Sequence, residues 1–313
     1  MWSWNLKITC GGFCFLILFG GYLSAQPLQP SFQHLTSSEG LSDYTIYTME
    51  QDASGFIWIA TRNGLDRYDG YEVKTYYNEP GNASSLLSNV VFELYSDRSG
   101  RLWAGNDLGV CLYNRKNDNF TRIESDETDV AKKSVHVICE DVNGTIWVGT
   151  SGGLLKINTD TKKMMPVFFL QDSTGKQLYP NIEDLIADEK GNLWIAGYFG
   201  IAKYNIAGGT TTILKSDDFP ANQLRRLTQN DQHEIWAASV RGKLVRLDEN
   251  GISASHYDLA DYYKKGFDIR AMVFDHAGRL WMADPENGLI AFDPAEKQFQ
   301  LFKYDPAKTD KYY

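Results

Sequence analysis

Carboxylates recur along this chain at matched intervals: Asp52, Asp97, Asp141, Asp188 and Asp275, with Asn230 in the same series. Side chains of this type can do acid–base work or hold calcium. Their neighbours argue for a different role. Each stands six residues before a tryptophan, and five stand three residues before a glycine, namely Gly55, Gly100, Gly144, Gly191 and Gly278. His233 takes the glycine place in the fifth case. In Asp-x-x-Gly the carboxylate caps a turn and the glycine supplies the positive φ that ends it. A feature repeated at the same turn in every unit is structural. The histidines His34, His136, His233, His256 and His276 show no pairwise ligand spacing, so no metal site is expected. No Gly-x-Ser-x-Gly elbow, phosphate-binding loop or dinucleotide fingerprint is present, so no catalytic residue and no cofactor is assigned.

The elements that hold these residues follow from the tryptophans. Trp58, Trp103, Trp147, Trp194, Trp236 and Trp281 are spaced 45, 44, 47, 42 and 45 residues apart. A period near 45 suits one propeller blade of four short strands. The residue before each Trp is Ile or Leu, and two after it sits Ala60, Gly105, Gly149, Ala196, Ala238 or Ala283. Side chains two apart on a strand share a face, so a large ring stands beside a small partner and the neighbouring sheet can come close. A second glycine, Gly64, Gly109, Gly153, Gly200, Gly242 or Gly288, turns the chain into a third strand. A fourth strand carries aromatics, as in 73–77.

The expected fold is therefore all-β: a β-propeller of four-stranded antiparallel blades, with repeats at about 42–77, 88–122, 134–168, 181–215, 223–258 and 268–304. Blade five departs at His233, a residue that tolerates the left-handed region better than most, so an altered hairpin is expected there. Phe32-Gln33-His34-Leu35-Thr36 resembles a fourth strand and reads as a lone N-terminal outer strand. Residues 305–313 resemble the linker into a further blade. The simplest reading is an incomplete seven-bladed ring; a closed six-bladed ring with a spare strand is the alternative.

The first 25 residues differ from the rest. Lys7 is their only charge, an apolar run follows to Leu23, and Leu23-Ser24-Ala25 precedes Gln26. This reads as a signal peptide cut after Ala25, with an uncleaved anchor as the rival. Cys10 and Cys14 fall within it. Cys111 and Cys139 lie in apolar segments of neighbouring repeats and read as buried free thiols. A net charge of −9 with no basic stripe disfavours nucleic acid and anionic lipid.

Propellers usually bind on the face that carries the turns between second and third strands. Those turns supply Arg62, Asn63, Asn106, Asp107, Ser151, Tyr198, Phe199, Arg241 and Glu286 as ligand-binding candidates. Tyr198 and Phe199 are suited to stack on a sugar face while Arg62, Arg241 and Asn106 bond hydroxyls.

With these motifs in view, the chain resembles the two-component regulator propeller repeats. The resemblance is carried by Phe32 to Leu35, Glu39-Gly40-Leu41-Ser42, the stretch Gln51 to Thr61, and Asn63-Gly64-Leu65-Asp66-Arg67-Tyr68-Asp69-Gly70. It implies the N-terminal periplasmic sensor part of a Bacteroidetes hybrid two-component system. In that family two propellers precede a β-sandwich, a membrane helix, a histidine kinase and a receiver, and the sensor responds to oligosaccharides. The implied partners are an oligosaccharide and the second propeller and kinase domains of a longer parent anchored in the inner membrane. The kinase lies outside these residues, so this chain is read as non-enzymatic. Two other readings stay open: a lyase of the streptogramin-inactivating type, whose blades also carry Asp-x-x-Gly-x-x-Trp turns, and a protein-docking platform.

Overall fold

The computed structural model describes residues 35–125, 133–214, 224–239, 242–248, 253–259, 261 and 267–303. Blade one is β1 (Ile46–Gln51), β2 (Ile57–Thr61), β3 (Gly64–Tyr68) and β4 (Val73–Tyr76). Blade two is β5 (Val91–Ser96), β6 (Leu102–Asn106), β7 (Gly109–Asn114) and β8 (Asn119–Arg122), followed by a short β9 (Glu124–Ser125). Blade three is β10 (Val135–Glu140), β11 (Ile146–Thr150), β12 (Gly153–Asn158) and β13 (Lys163–Val167). Blade four is β14 (Ile182–Ala187), β15 (Asn192–Gly197), β16 (Gly200–Asn205) and β17 (Thr210–Leu214). Blade five is β18 (Leu224–Gln229), β19 (Ile235–Ser239), β20 (Lys243–Leu247) and β21 (Ser253–Asp258). Blade six is β22 (Ala271–Phe274), β23 (Leu280–Asp284), β24 (Gly288–Asp293) and β25 (Gln298–Phe302). Every blade is an antiparallel meander in chain order. The expected all-β propeller is what forms.

The turn aspartate does two jobs. In blade one, Asp52 Oδ1 accepts from the backbone N–H of Ser54 (2.8 Å) and Phe56 (3.2 Å), and Oδ2 accepts from the Trp58 indole at 2.9 Å. The same indole bond joins Trp103 to Asp97 (2.7 Å), Trp147 to Asp141 (2.9 Å), Trp194 to Asp188 (2.9 Å) and Trp281 to Asp275 (2.8 Å). A buried indole N–H and a buried carboxylate each need a partner, and here they satisfy each other. At Asp275 burial pushes the carboxyl up, but bonds from Trp281 and Arg279 outweigh it and hold the pKa down at about 2. The glycine ending each turn has positive φ, for example 87° at Gly55 and 73° at Gly100.

Blade five keeps the hairpin register and backbone bonds of the other blades, so the altered hairpin expected there does not form, but its side-chain chemistry departs. His233 takes the glycine's place at φ 61°. Asn230 Oδ1 still accepts from Gln232 N (3.1 Å) and Glu234 N (2.9 Å), but its Nδ2 donates to Glu234. An amide nitrogen cannot accept. The Trp236 indole is left buried without a partner among the described residues.

The small residue after each Trp sets the spacing between blades. A Cβ added to Gly149 would lie 2.6 Å from Ile182 of the next blade and 2.7 Å from Val137. One added to Gly105 would lie 2.5 Å from Val135. Trp58, Trp103, Trp147, Trp194 and Trp236 are accordingly each packed into a core shared with the following blade, as Trp58 is with Val91, Leu94 and Leu102. Around the axis, β1 packs on β5, β5 on β10, β10 on β14, β14 on β18 and β18 on β22. β22 and β1 do not pack in this way. Met49 of β1 and Val273 of β22, each 61% exposed, mark the two flanks of that opening.

Several elements lay outside the sequence expectation. β9 adds a parallel fifth strand to the outer edge of blade three, pairing Glu124 with Lys163. Asp172 and Gly175, in the linker after blade three, form the same capped turn without a tryptophan. Ser37–Glu39 is a single 3-10 turn capped by Thr36, and its segment is tied down where Ser42 bonds the buried Asp66. Of the expected lone outer strand, Phe32 to His34 lie outside the described residues, and Leu35 and Thr36 are not in a strand. The leader and residues 305–313 also lie outside them. Cys111 and Cys139 are free thiols, as the sequence indicates. Burial raises the pKa of Cys111 to about 11.

Asp97→Asn should cost about 1–3 kcal/mol, because it leaves the Trp103 indole and Arg101 without their acceptor. The double variant N230D/E234T copies the arrangement of blade three (Asp141, Thr145) and should gain about 1 kcal/mol by giving Trp236 a partner. Urea denaturation of the purified chain measures both.

Candidate functional site

Five inner strands carry a register shift at the same place. It falls between Ile46 and Thr48, Val91 and Glu93, Val135 and Val137, Ile182 and Asp184, and Leu224 and Arg226. A bulge re-aims side chains that a regular strand would present to its two faces. Here the shifted residues line one cavity on the axis, of about 380 Å³. Tyr47 and Thr48 come from blade one, Phe92 and Glu93 from blade two, and His136 and Val137 from blade three. Glu183 and Asp184 come from blade four, Arg226 and Leu227 from blade five, and Arg270 to Met272 from blade six.

Most of these residues stand eleven or ten places before a tryptophan, with Leu227 and Met272 nine before theirs, where the repeat has no fixed chemistry. Eleven before each tryptophan stand Tyr47, Phe92, His136, Glu183, Arg225 and Arg270, and all but Arg225 line the cavity. That variation inside a constant frame was the available signal. The sequence reading looked instead at the turns after the tryptophan.

Much of the polar lining is already engaged. The Arg226 guanidinium donates to the carbonyls of Glu183 (3.2 Å), Arg225 (2.9 Å) and Arg270, so it braces blades four, five and six. Asp184 accepts from the N–H of Leu227 (2.8 Å) and Leu185 (2.9 Å). Glu183 accepts from Asn181 at 2.6 Å. His136 Nδ1 lies 2.8 Å from the Ile182 carbonyl; a carbonyl only accepts, so Nδ1 carries the proton. The Tyr47 and Phe92 rings meet edge to face at 4.8 Å. Glu93 has no hydrogen-bond partner among the described residues.

Burial raises the pKa of both carboxyls. That of Asp184 rises to about 6, with Arg226 working against the rise. Glu93 is pushed well up by burial and then by the Asp184 charge, again against Arg226.

The turn residues singled out from sequence rim the same face but do not converge. Arg62 is exposed, paired with Asp43 at 3.4 Å and lying over the Tyr44 ring. Asn63 is exposed beside Asn89. Asn106 is fully buried and donates to the Ser88 and Val90 carbonyls, bracing the linker before its blade. Asp107 is half-buried with Oδ1 unpartnered. Ser151 and Glu286 are exposed turn residues. Tyr198 is 52% exposed, with Arg225 at 3.4 Å from its hydroxyl. The Phe199 ring packs against Phe169 at 5.8 Å, which turns it from a stacking platform into core. Arg241 lies outside the described residues. Among the described residues no group of three or more His, Cys, Asp or Glu is placed to hold a metal.

A folded Asp184 pKa of about 6 means that the native state keeps a proton the unfolded chain has lost. Stability from this group is therefore highest below about pH 4 and falls as pH rises to about 6. Asp184→Asn should flatten that fall by about 1–3 kcal/mol, measured by urea unfolding between pH 4 and pH 8.

Comparison with known proteins fits this geometry. A sequence profile described as the two-component regulator propeller matches residues 40–63 and 130–152. A protein named Histidine kinase P4, from Formosa agariphila, is 28% identical over 243 residues, covering 61% of this chain and 18% of that protein. A solved structure described as the extracellular domain of a hybrid two component system, BT3049, from B. thetaiotaomicron superposes with a TM-score of 0.74 at 21% identity, covering 87% of this chain and 36% of that one. Virginiamycin B lyase from Staphylococcus aureus superposes with a TM-score of 0.68 at 15% identity, covering 83% of this chain and 85% of that one. At these identities the two structures share the fold. The chain thus spans under a fifth of the length of the curated relative it matches, and little over a third of the first of these structures. Among the described residues no helix is long and apolar enough to cross a membrane. The two-component regulator propeller profile thus resembles this chain over two segments, one running through β2 of blade one and one running through β11 of blade three.

Proposed function

We propose that the chain is the ligand-sensing propeller of a two-component regulator, that it works in the periplasm, and that its ligand is an oligosaccharide held on the axis. One observation carries this reading. Six blades that repeat everywhere else send chemically different side chains into one shared cavity. An aromatic pair beside carboxyl, guanidinium and imidazole groups is the mixture that holds a sugar, whose faces are apolar and whose edges carry hydroxyls. Tyr198, on the same face, suits a sugar unit farther along the chain. The relay to a kinase belongs to a longer parent.

A second reading, a lyase, rests on His136. Its Nδ1–H is fixed by the Ile182 carbonyl, which leaves Nε2 as the ring nitrogen free for acid–base work at the cavity wall. Turnover of a streptogramin that disappears in His136→Ala would favour the enzyme over the sensor.

Titration calorimetry against a panel of plant, algal and host oligosaccharides tests the sensor reading. Phe92→Ala should weaken the best ligand about 3–10-fold, while Tyr198→Ala changes it less than about 2-fold. Absence of binding by every sugar would overturn the reading.

A further inference from the structure

We infer that the axial pocket selects a sugar bearing a primary ammonium group, with Glu93 as its counterion and the Tyr47 and Phe92 rings as flanking π faces. This rests on the pocket being the sugar site proposed above.

Most of the charged groups in the pocket already have partners. Asp184 is held by two backbone N–H groups, and Glu183 by Asn181. Arg226 is spent on three carbonyls, and Arg270 pairs with Asp268 at 2.6 Å. His136 donates to Ile182. Of the charged groups in the lining, that leaves the Glu93 carboxyl with no hydrogen-bond partner among the described residues. Its surroundings are unfavourable to negative charge in the empty state. Asp184 and Glu50 repel it, and Arg226 is the single cation whose field opposes them. Glu93 is half-buried, and a partly desolvated carboxylate gains from a positive charge that faces it. Among the described residues Arg226 is the one cation whose field reaches it, so an ammonium on the occupant would be the second.

Shape and chemistry narrow that occupant. Phe92 adjoins Glu93 in β5, and its ring meets Tyr47 edge to face at 4.8 Å. Aromatic faces beside a carboxylate attract an ammonium more than a neutral amide. An ammonium brings three donors and a charge, whereas an acetamide brings one donor and none. Burial and the Asp184 charge push the Glu93 pKa up in the empty pocket, and an ammonium opposite it pulls it down. Whatever proton the carboxyl holds passes to solvent as the ion pair forms, whereas a neutral sugar leaves it in place. The other charged or titratable groups around Glu93 are Asp184, Glu183, Glu50, His136, Tyr47, Cys139, Arg226 and Arg270, and the Glu93→Gln variant separates its proton from theirs.

The test is calorimetry at pH 6 with two probes of equal length, glucosamine tetramer and its fully N-acetylated counterpart. Each is titrated in two buffers of different ionisation heat. The amine should bind about 10-fold more tightly and release up to about one proton. In Glu93→Gln, which keeps shape and removes charge, the preference should fall below about 2-fold, with thermal unfolding confirming the fold. Equal affinities, or a preference that survives in Glu93→Gln, would overturn the inference. If neutral sugars bind in the pocket and the amine gains nothing, only this inference falls. If no sugar of either kind binds, the sugar reading falls with it.

Discussion

The fold depends on one bond made again and again: a turn carboxylate accepting from the indole of a tryptophan six residues on. The first carboxyl oxygen closes the hairpin between inner and second strands. The second fixes the ring that fills the space to the next blade. Local turn and long-range packing are thereby joined in one side chain, and neither can shift without the other. Blade five shows what happens when the carboxylate becomes an amide. The turn persists at Asn230, because the oxygen still accepts two N–H groups, but Trp236 loses its partner.

Further ties lock neighbouring blades at particular places. Asp118, in the outer hairpin of blade two, accepts from Tyr113 of its own blade and from Arg67, Lys74 and Tyr76 of blade one. Burial works against the charge there, but the bonds from Lys74, Tyr113 and Tyr76 hold the carboxyl well below the usual range. Arg115 of blade two reaches Asp52 of blade one at 2.9 Å. Glu50 accepts from Ser96 N across the same junction. A frame held at this many points can carry variable residues at the axis without losing its geometry.

The sequence made the frame legible because its constraints are local. Asp-x-x-Gly, the apolar residue before Trp and the small residue after it each report a requirement within a dozen residues. Even the odd His233 could be assigned to a left-handed turn from its place in the repeat. The indole bond was missed, although the constant spacing of six was its trace. The candidate site was less legible. Asn106 and Phe199 looked like ligand residues because they sit in turns, yet one braces a linker and the other is core. The residues that do converge, such as Phe92 and Glu93, lie at the start of ordinary strands. Only the bulge brings them to the axis, and a bulge in register has no residue signature of its own. β9 was equally hidden, since a two-residue strand has no pattern to read.

The central claim is that the constant frame exists to hold variable chemistry on the axis. The most direct measurement is a crystal structure of the protein with the tightest oligosaccharide found by calorimetry. The account predicts sugar density against the Tyr47 and Phe92 ring pair, with a polar group within hydrogen-bond distance of Glu93. Density confined to the outer rim at Arg62 or Tyr198, with the axial cavity holding only water, would contradict it.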